Sequence, residues 1–221
     1  NSPLKDSEEL AIVDMGSGKG YLTFAAYDYF AHSRNRSVRM TGVESRQGLV
    51  ETCNDIARSG GFDGLHFVQA RIADFDPGET DILIALHACD TATDDALFKG
   101  VAGNATIIVA APCCHKELRK QVRPPEMLSG ILRHGVMLER TAETLTDGMR
   151  SLLLEQIGYS TKLFEFVSTE HTPKNNMIAA TRRTGNSRTD DASRQMEEIK
   201  KQFGIRSQHL ETLLSTRPKM G

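Results

Sequence analysis

Tryptophan is absent from the 221 residues, and phenylalanine and tyrosine bring the aromatic share to only 6%. No group of rings stands out as a platform on which nucleic-acid bases would stack. Neither charge sign dominates: 27 basic and 29 acidic residues give a formal charge of −2. The chain as a whole therefore has no attraction for polyanions or anionic lipid, and any basic partner surface must be a local patch. No apolar run approaches the roughly 20 residues of a membrane-spanning helix, and no signal-peptide pattern opens the chain, so no membrane partner is expected. The four cysteines, Cys53, Cys89, Cys113 and Cys114, include an adjacent pair and no C-x-x-C. In a chain of this length they read as reduced thiols of a cytoplasmic protein rather than a disulfide scaffold. There is no internal repeat and no low-complexity tract. The chain opens on Asn1 and reaches a glycine loop by Gly16, so an upstream region of the full-length protein is expected to be missing.

What is present is an alternation of strand and helix patterns. Apolar or β-branched runs at 10–15, 39–45, 65–72, 80–88 and 105–112 read as strands, the last two strong enough to be buried on both faces of a parallel sheet. Helical patterns fall between them, at 21–32 with Leu22, Ala25, Ala26 and Tyr29 on one face, at 49–61, and at 92–103 with Thr93 or Asp94 as N-cap. A helical stretch at 126–158 is expected to break around Gly135 and Gly148, with a cap at Thr146 or Asp147. Two closing strands follow at 161–168 and 176–183. Repeated βα units predict an α/β, Rossmann-like doubly wound domain over 1–183 whose ligands sit at the carboxyl ends of the strands. Residues 184–193 read as a polar linker and 194–221 as an amphipathic helical tail.

At the end of the first strand stands Asp14-Met15-Gly16-Ser17-Gly18-Lys19-Gly20. The P-loop spacing G-x-x-x-x-G-K-[S/T] is absent, and the third glycine is one position too early for the dinucleotide pattern G-x-G-x-x-G. Glu44 ends the second strand, 24 positions beyond Gly20; an acid there can accept both hydroxyls of a ribose. Asp14 would repel a pyrophosphate but welcome an amino group, while bare glycine amides allow close approach of a carboxylate or sugar. A ligand with a ribose at one end and an amino acid at the other is S-adenosylmethionine.

On these motifs, "VDMGSGKGYLTF" and "GVES", the sequence resembles the class I S-adenosylmethionine-dependent methyltransferases over residues 10–183. The resemblance implies a mostly parallel seven-stranded sheet with helices on both faces and the last strand antiparallel. It places Asp14, Gly16, Ser17, Gly18 and Gly20 along the methionine side, Glu44 at the ribose, Arg71 and Ile72 beside adenine, and His87 near the sulfonium methyl. Where many amino-group methyltransferases carry Asp/Asn-Pro-Pro-aromatic, this chain has "ALHACDTATDDAL", followed at the next strand end by "APCCHKELR". The pair HxCxxATD and CCHK resembles a group that includes the transfer-RNA acceptor-stem 2'-O-methyltransferase, although that group usually shows glycine where Asp90 stands. That enzyme's extra zinc-binding modules have no counterpart here. RNA is thus the expected acceptor, with a ribose 2'-hydroxyl one candidate atom. A small molecule or a protein side chain is the alternative acceptor, and a non-catalytic nucleotide-binding domain the alternative class.

Methyl transfer from a sulfonium needs alignment above all, and a hydroxyl acceptor also needs a base, worth roughly 10²–10⁴-fold. His87, Asp90 and His115 are the expected catalytic candidates, with loop anchoring the competing role. Cys114, Lys116 and Arg119, and His171, Lys174 and Asn175 from the loop between the closing strands, are expected to touch substrate. Lys116, Arg119, Lys120 and Arg123 form a basic run suited to phosphates or to a solvated helix face. Cys113, Cys114 and His115, with Cys89 and His87 at the neighbouring strand end, could form a cluster for zinc or an iron–sulfur centre. No metal is expected, however, because adjacent cysteines on an extended strand do not easily point both sulfurs at one ion and no C-x-x-C is present.

Overall fold

A computed structural model of the chain describes residues 4, 9–86, 88–166, 175–184 and 189–216. Seven strands form one sheet in the order β3-β2-β1-β4-β5-β7-β6, mostly parallel with the last strand antiparallel. The fold is the α/β, Rossmann-like arrangement that the repeated βα units predict, with the antiparallel last strand that the resemblance implies. By density of internal contacts the chain divides into two parts, residues 1–88 with 95–111 and residues 89–94 with 112–221.

The first part holds β1 (Leu10–Met15), β2 (Val38–Glu44), β3 (Leu65–Gln69), β4 (Ile82–Leu86) and β5 (Ile107–Ala111). Every residue of β1 is buried, as its position between two parallel neighbours demands. The reversal of strand order at β1 and β4 opens the crevice in which this class of sheet binds its ligands. Helix α1 (Tyr21–Asp28) runs into a π-helical turn, Tyr29–Ser33, and α2 (Gln47–Ser59) follows β2. On α2 the spacing Val50, Cys53, Ala57 supplies one buried stripe, and a left-handed Gly61 lies just beyond the helix. An aromatic contact set, Phe24 against Phe62 and Phe67 with ring centroids 5.2 and 5.4 Å apart, packs these helices on the sheet.

Helix α1 does not bury the face that apolarity suggested. Leu22 and Tyr29 are 42% and 50% exposed, whereas Thr23 and Tyr27 are buried. Thr23 can face inward because its hydroxyl has an acceptor there.

Helix α3 (Thr91–Ala102) spans the boundary of the two parts. The second part holds α4 (Lys116–Arg119), α5 (Ser129–Leu132), α6 (Gly135–Gln156), β6 (Tyr159–Glu165), β7 (Asn176–Arg182), α7 (Thr189–Phe203) and α8 (His209–Ser215). Strands β6 and β7 pair antiparallel over seven residues, from Tyr159 with Arg182 to Glu165 with Asn176. Helix α6 runs unbroken through Gly148, and Thr146 and Asp147 are interior, buried positions rather than caps. One mid-helix glycine costs only about 1 kcal/mol relative to alanine, so it does not end a helix whose other face is buried. Helix α7 begins at Thr189, inside the stretch whose polarity suggested a linker, and the helical tail is divided at Gly204 with φ +63°. Among the described residues no helix is long and apolar enough to cross a membrane.

Gly42 on β2 shows how tightly the first part is packed near its ligand end. A Cβ built there would lie 2.4 Å from the Phe67 ring and 3.1 Å from the Ser17 hydroxyl. Gly42→Ala is expected to lose about 1–3 kcal/mol of stability by overpacking, read as a lower urea midpoint with unchanged slope.

Candidate functional site

Strand β1 delivers Asp14 to the edge of the crevice and buries it to 4% exposure. One carboxylate oxygen accepts the Thr23 hydroxyl at 2.6 Å. Burial raises its pKa to about 6, and the Thr23 hydrogen bond offsets only part of that rise. The chain then turns. The amides of Gly16 and Ser17 both donate to the Val43 carbonyl, at 2.8 and 2.9 Å, and the Gly18 amide donates to the Glu44 carboxylate at 3.1 Å. Gly16, Gly18 and Gly20 have φ of +80°, +58° and +74°, a left-handed sequence that side-chain-bearing residues adopt only with strain.

Glu44 is buried to 5% at the end of β2. Besides Gly18 it accepts the Arg46 backbone amide at 2.9 Å and the Arg46 guanidinium at 2.9 and 3.1 Å. The guanidinium hydrogen bond is the main cause that lowers its pKa to about 2. Ile72 closes the loop's other side, its Cδ1 3.7 Å from where a Cβ on Gly16 would lie. Asp14, Gly16, Ser17, Gly18, Gly20, Glu44 and Ile72 therefore gather at one end of the first part. Arg71 does not join them: its side chain is 80% exposed and 4.0 Å from Asp74. Thr23 and Arg46, which sequence reasoning left out, are the direct partners of the two acids. A hydroxyl nine residues after the first acid and an arginine two after the second were the available signals.

The second part has its own polar centre. Arg150, 1% exposed, donates to both oxygens of Asp94 at 2.9 and 2.8 Å, to Asp147 at 3.2 Å and to the Asp90 carbonyl at 2.9 Å. The His115 Nε2 lies 3.0 Å from the same Asp147 oxygen, and Gln208 donates to Asp94 at 2.6 Å. His115 Nδ1 is buried with no hydrogen-bond partner among the described residues, the Glu143 carboxylate standing 3.9 Å away. Asp94 is thus an ion-pair partner, not a helix cap. His115, expected at an acceptor pocket, is 5% exposed within this network. Asp90 has φ +54°, a left-handed conformation that glycine adopts more easily than a residue with a side chain. Its carboxylate accepts the Glu117 amide at 3.1 Å. Lys116 is exposed, Arg119 pairs with Glu139 at 3.0 Å, and Asn175 is 2% exposed with its carbonyl accepting the Phe166 amide. His87, His171 and Lys174 lie outside the described residues.

The Sγ atoms of Cys89 and Cys113 are 3.3 Å apart and those of Cys113 and Cys114 3.7 Å apart. Burial, ahead of the neighbouring thiols, pushes the Cys113 thiol up to about 12. The adjacent pair converges because β5 ends at Ala111, and residues 112–115 are not in the extended strand that would alternate their side chains.

The family model described as "Methyltransferase domain" matches residues 1–121. The chain belongs to this methyltransferase family. A comparison with curated proteins gives no match. Among solved structures, the 23S rRNA methyltransferase ErmE superposes with a TM-score of 0.52 at 15% identity, over 96% of this chain and 78% of that one. The DszA carbon methyltransferase gives a TM-score of 0.50 at 13% identity, over 84% and 50%. WbdD gives 0.47 at 14% identity over 79% of this chain, which spans only 36% of the WbdD chain. At these identities the likeness is one of fold. The cofactor of a methyltransferase domain on this fold is S-adenosylmethionine.

Two outcomes test the geometry. Between the ordinary value of 3.8 and about 6, the folded chain holds a proton on Asp14 that the unfolded chain has lost. Stability should therefore fall as pH rises through this window, by up to about 3 kcal/mol. Asp14→Asn should flatten the slope between pH 4.5 and 7 in urea unfolding. Arg150→Met strands two buried carboxylates and should cost about 3–5 kcal/mol, seen as a large drop in thermal midpoint.

Proposed function

We propose that the chain is an S-adenosylmethionine-dependent methyltransferase whose acceptor is RNA. The observation that carries the cofactor assignment is the pair of buried acids, Asp14 and Glu44, flanking a loop with three left-handed glycines. The donor set fits the ligand's chemistry. An acid at the end of β1 suits an ammonium, an acid at the end of β2 suits a diol, and the loop's three left-handed glycines, lacking Cβ, let a ligand come close to the backbone. When bound, the cofactor supplies an electrophilic methyl on a sulfonium.

The residues of this chain bind and orient. Asp14 faces the amino-acid end as a carboxylate, so it must give up the proton that burial favours below about pH 6. The ligand's ammonium then compensates the buried charge. Glu44 accepts the ribose hydroxyls once the Arg46 guanidinium yields its place; that side chain is 67% exposed, so water takes over its solvation. Ile72 lies against the glycine loop as an apolar wall.

The RNA reading rests on the HxCxxATD and CCHK segments and on the exposed cations Lys116, Lys120 and Arg123 that follow them. A local basic patch on a chain of net charge −2 suits phosphates. Within this reading Asp90 and His115 position the loops, since Asp90's carboxylate caps the Glu117 amide and His115 is bonded to Asp147.

Calorimetry should give S-adenosylmethionine binding that tightens as pH rises through about 6, the sign expected when a carboxylate must ionise to meet an ammonium. Glu44→Ala should weaken it at least 10-fold, and Asp14→Asn should both weaken it and remove the pH dependence. Unchanged affinity in both variants would overturn the cofactor site. Radiolabelled methyl from the donor should then appear in total RNA; label in protein or small molecules instead would replace the acceptor assignment.

A further inference from the structure

Three sulfurs meet in the second part of the chain, outside the residues assigned to the cofactor. Chain connectivity explains how. In parallel register Leu86 of β4 stands beside Ala111 of β5, so Cys89 and the Cys113–Cys114 pair leave neighbouring strands within three residues of their ends. All three Sγ atoms lie within 4.8 Å of one another, two of the separations being 3.3 and 3.7 Å.

We propose that Cys89, Cys113 and Cys114 bind one Zn²⁺ through three thiolates. Zinc–sulfur bonds are about 2.3 Å long, and tetrahedral angles then set two sulfurs about 3.8 Å apart. The observed spacing is close to that value and far from the roughly 2.05 Å of a disulfide. No disulfide joins the four cysteines. The donor set is purely sulfur: among the described residues no carboxylate or imidazole belongs to the cluster. Such a set selects zinc over the oxygen-seeking Mg²⁺ and Ca²⁺. On binding, three sulfur–zinc bonds form, each thiol still protonated releases its proton to solvent, and no electron is transferred.

Three protein ligands among the described residues would leave the fourth position for water, as in zinc sites that keep an exchangeable ligand rather than in closed four-ligand ones. Cys89 is exposed, so that position has access to solvent. The ion would tie the loop after β4 to the segment that leads into α4, beside the Asp90–Glu117 hydrogen bond that joins the same two segments.

The test is one of binding and does not depend on methyl transfer or on the cofactor. The full chain, purified under a phosphine reductant and stripped with chelator, is titrated with Co²⁺ and then with Zn²⁺. One Co²⁺ per chain should bind with an intense thiolate-to-metal absorption band, and one equivalent of Zn²⁺ should abolish it. Cys113→Ser should weaken binding by more than roughly 100-fold, since even the partners behind metal ligands are worth 10–100-fold. Cys89→Ser, at an exposed position where folding is little affected, should do the same. Cys53→Ser, in the other part of the chain, should leave the stoichiometry at one. Absence of the thiolate band on the reduced chain, or its persistence in both Cys113→Ser and Cys89→Ser, would overturn the site. So would a Cys89–Cys113 disulfide in protein that takes up no metal after reduction.

Discussion

The glycine loop is held by a single strand end. Val43 receives two of its amides and Glu44 a third, so β2 fixes the path of the backbone that leaves β1. The parallel register that pairs Asp14 with Gly42 and Met15 with Val43 makes this possible. A one-residue slip would turn Glu44 to the other face of the sheet and free the Gly18 amide. Position 42 must also be small, because Phe67 lies where a Cβ would be. The two acids are therefore coupled through backbone geometry: moving either strand moves both carboxylates and the loop between them.

A different logic organises the second part. HxCxxATD and CCHK are two chain segments that bond one another. Asp90 reaches the Glu117 amide, Cys89 meets Cys113, and Arg150 of α6 links Asp94 to Asp147, which in turn holds His115. A buried guanidinium between two carboxylates is weak evidence for stability in itself, since desolvation offsets much of the attraction. Removal of one partner, however, leaves a charge with no solvent and no counter-ion. Polar residues of the motif are in this way committed to one another, and that limits which of them remain to act on a substrate.

Much of this was legible in the sequence where the signal is local. The strand runs, the acid–glycine spacing and the second acid report interactions made by a few consecutive residues, and the fold and the gathering of both acids at the glycine loop followed from them. Signals that depend on distant partners were read differently. Thr23 looked like the polar side of α1 because its acceptor, Asp14, belongs to the preceding strand. Asp94 and Asp147 looked like caps because an acid near a helix start normally caps; their partner Arg150 lies 56 positions from Asp94. An arginine among Thr146, Met149, Leu153 and Leu154 on one helical stripe was the available clue. The polar run at 184–193, in which α7 begins, resembled a linker because that helix is stabilised by packing of Ala192 and Met196, not by local propensity.

The chemistry of the first acid reaches beyond its position. A carboxyl buried among apolar strands and held by one hydroxyl keeps its proton to about pH 6, so near neutrality it is ionised at a standing cost in desolvation. A ligand bringing a positive charge relieves that cost; a ligand bringing a phosphate increases it. Discrimination between an amino-acid-bearing nucleoside and a dinucleotide therefore need not come from any contact to the base. On the proposed cofactor assignment it follows from the sign of one charge at the end of β1, beside a glycine loop whose own amides are held by Val43 and Glu44.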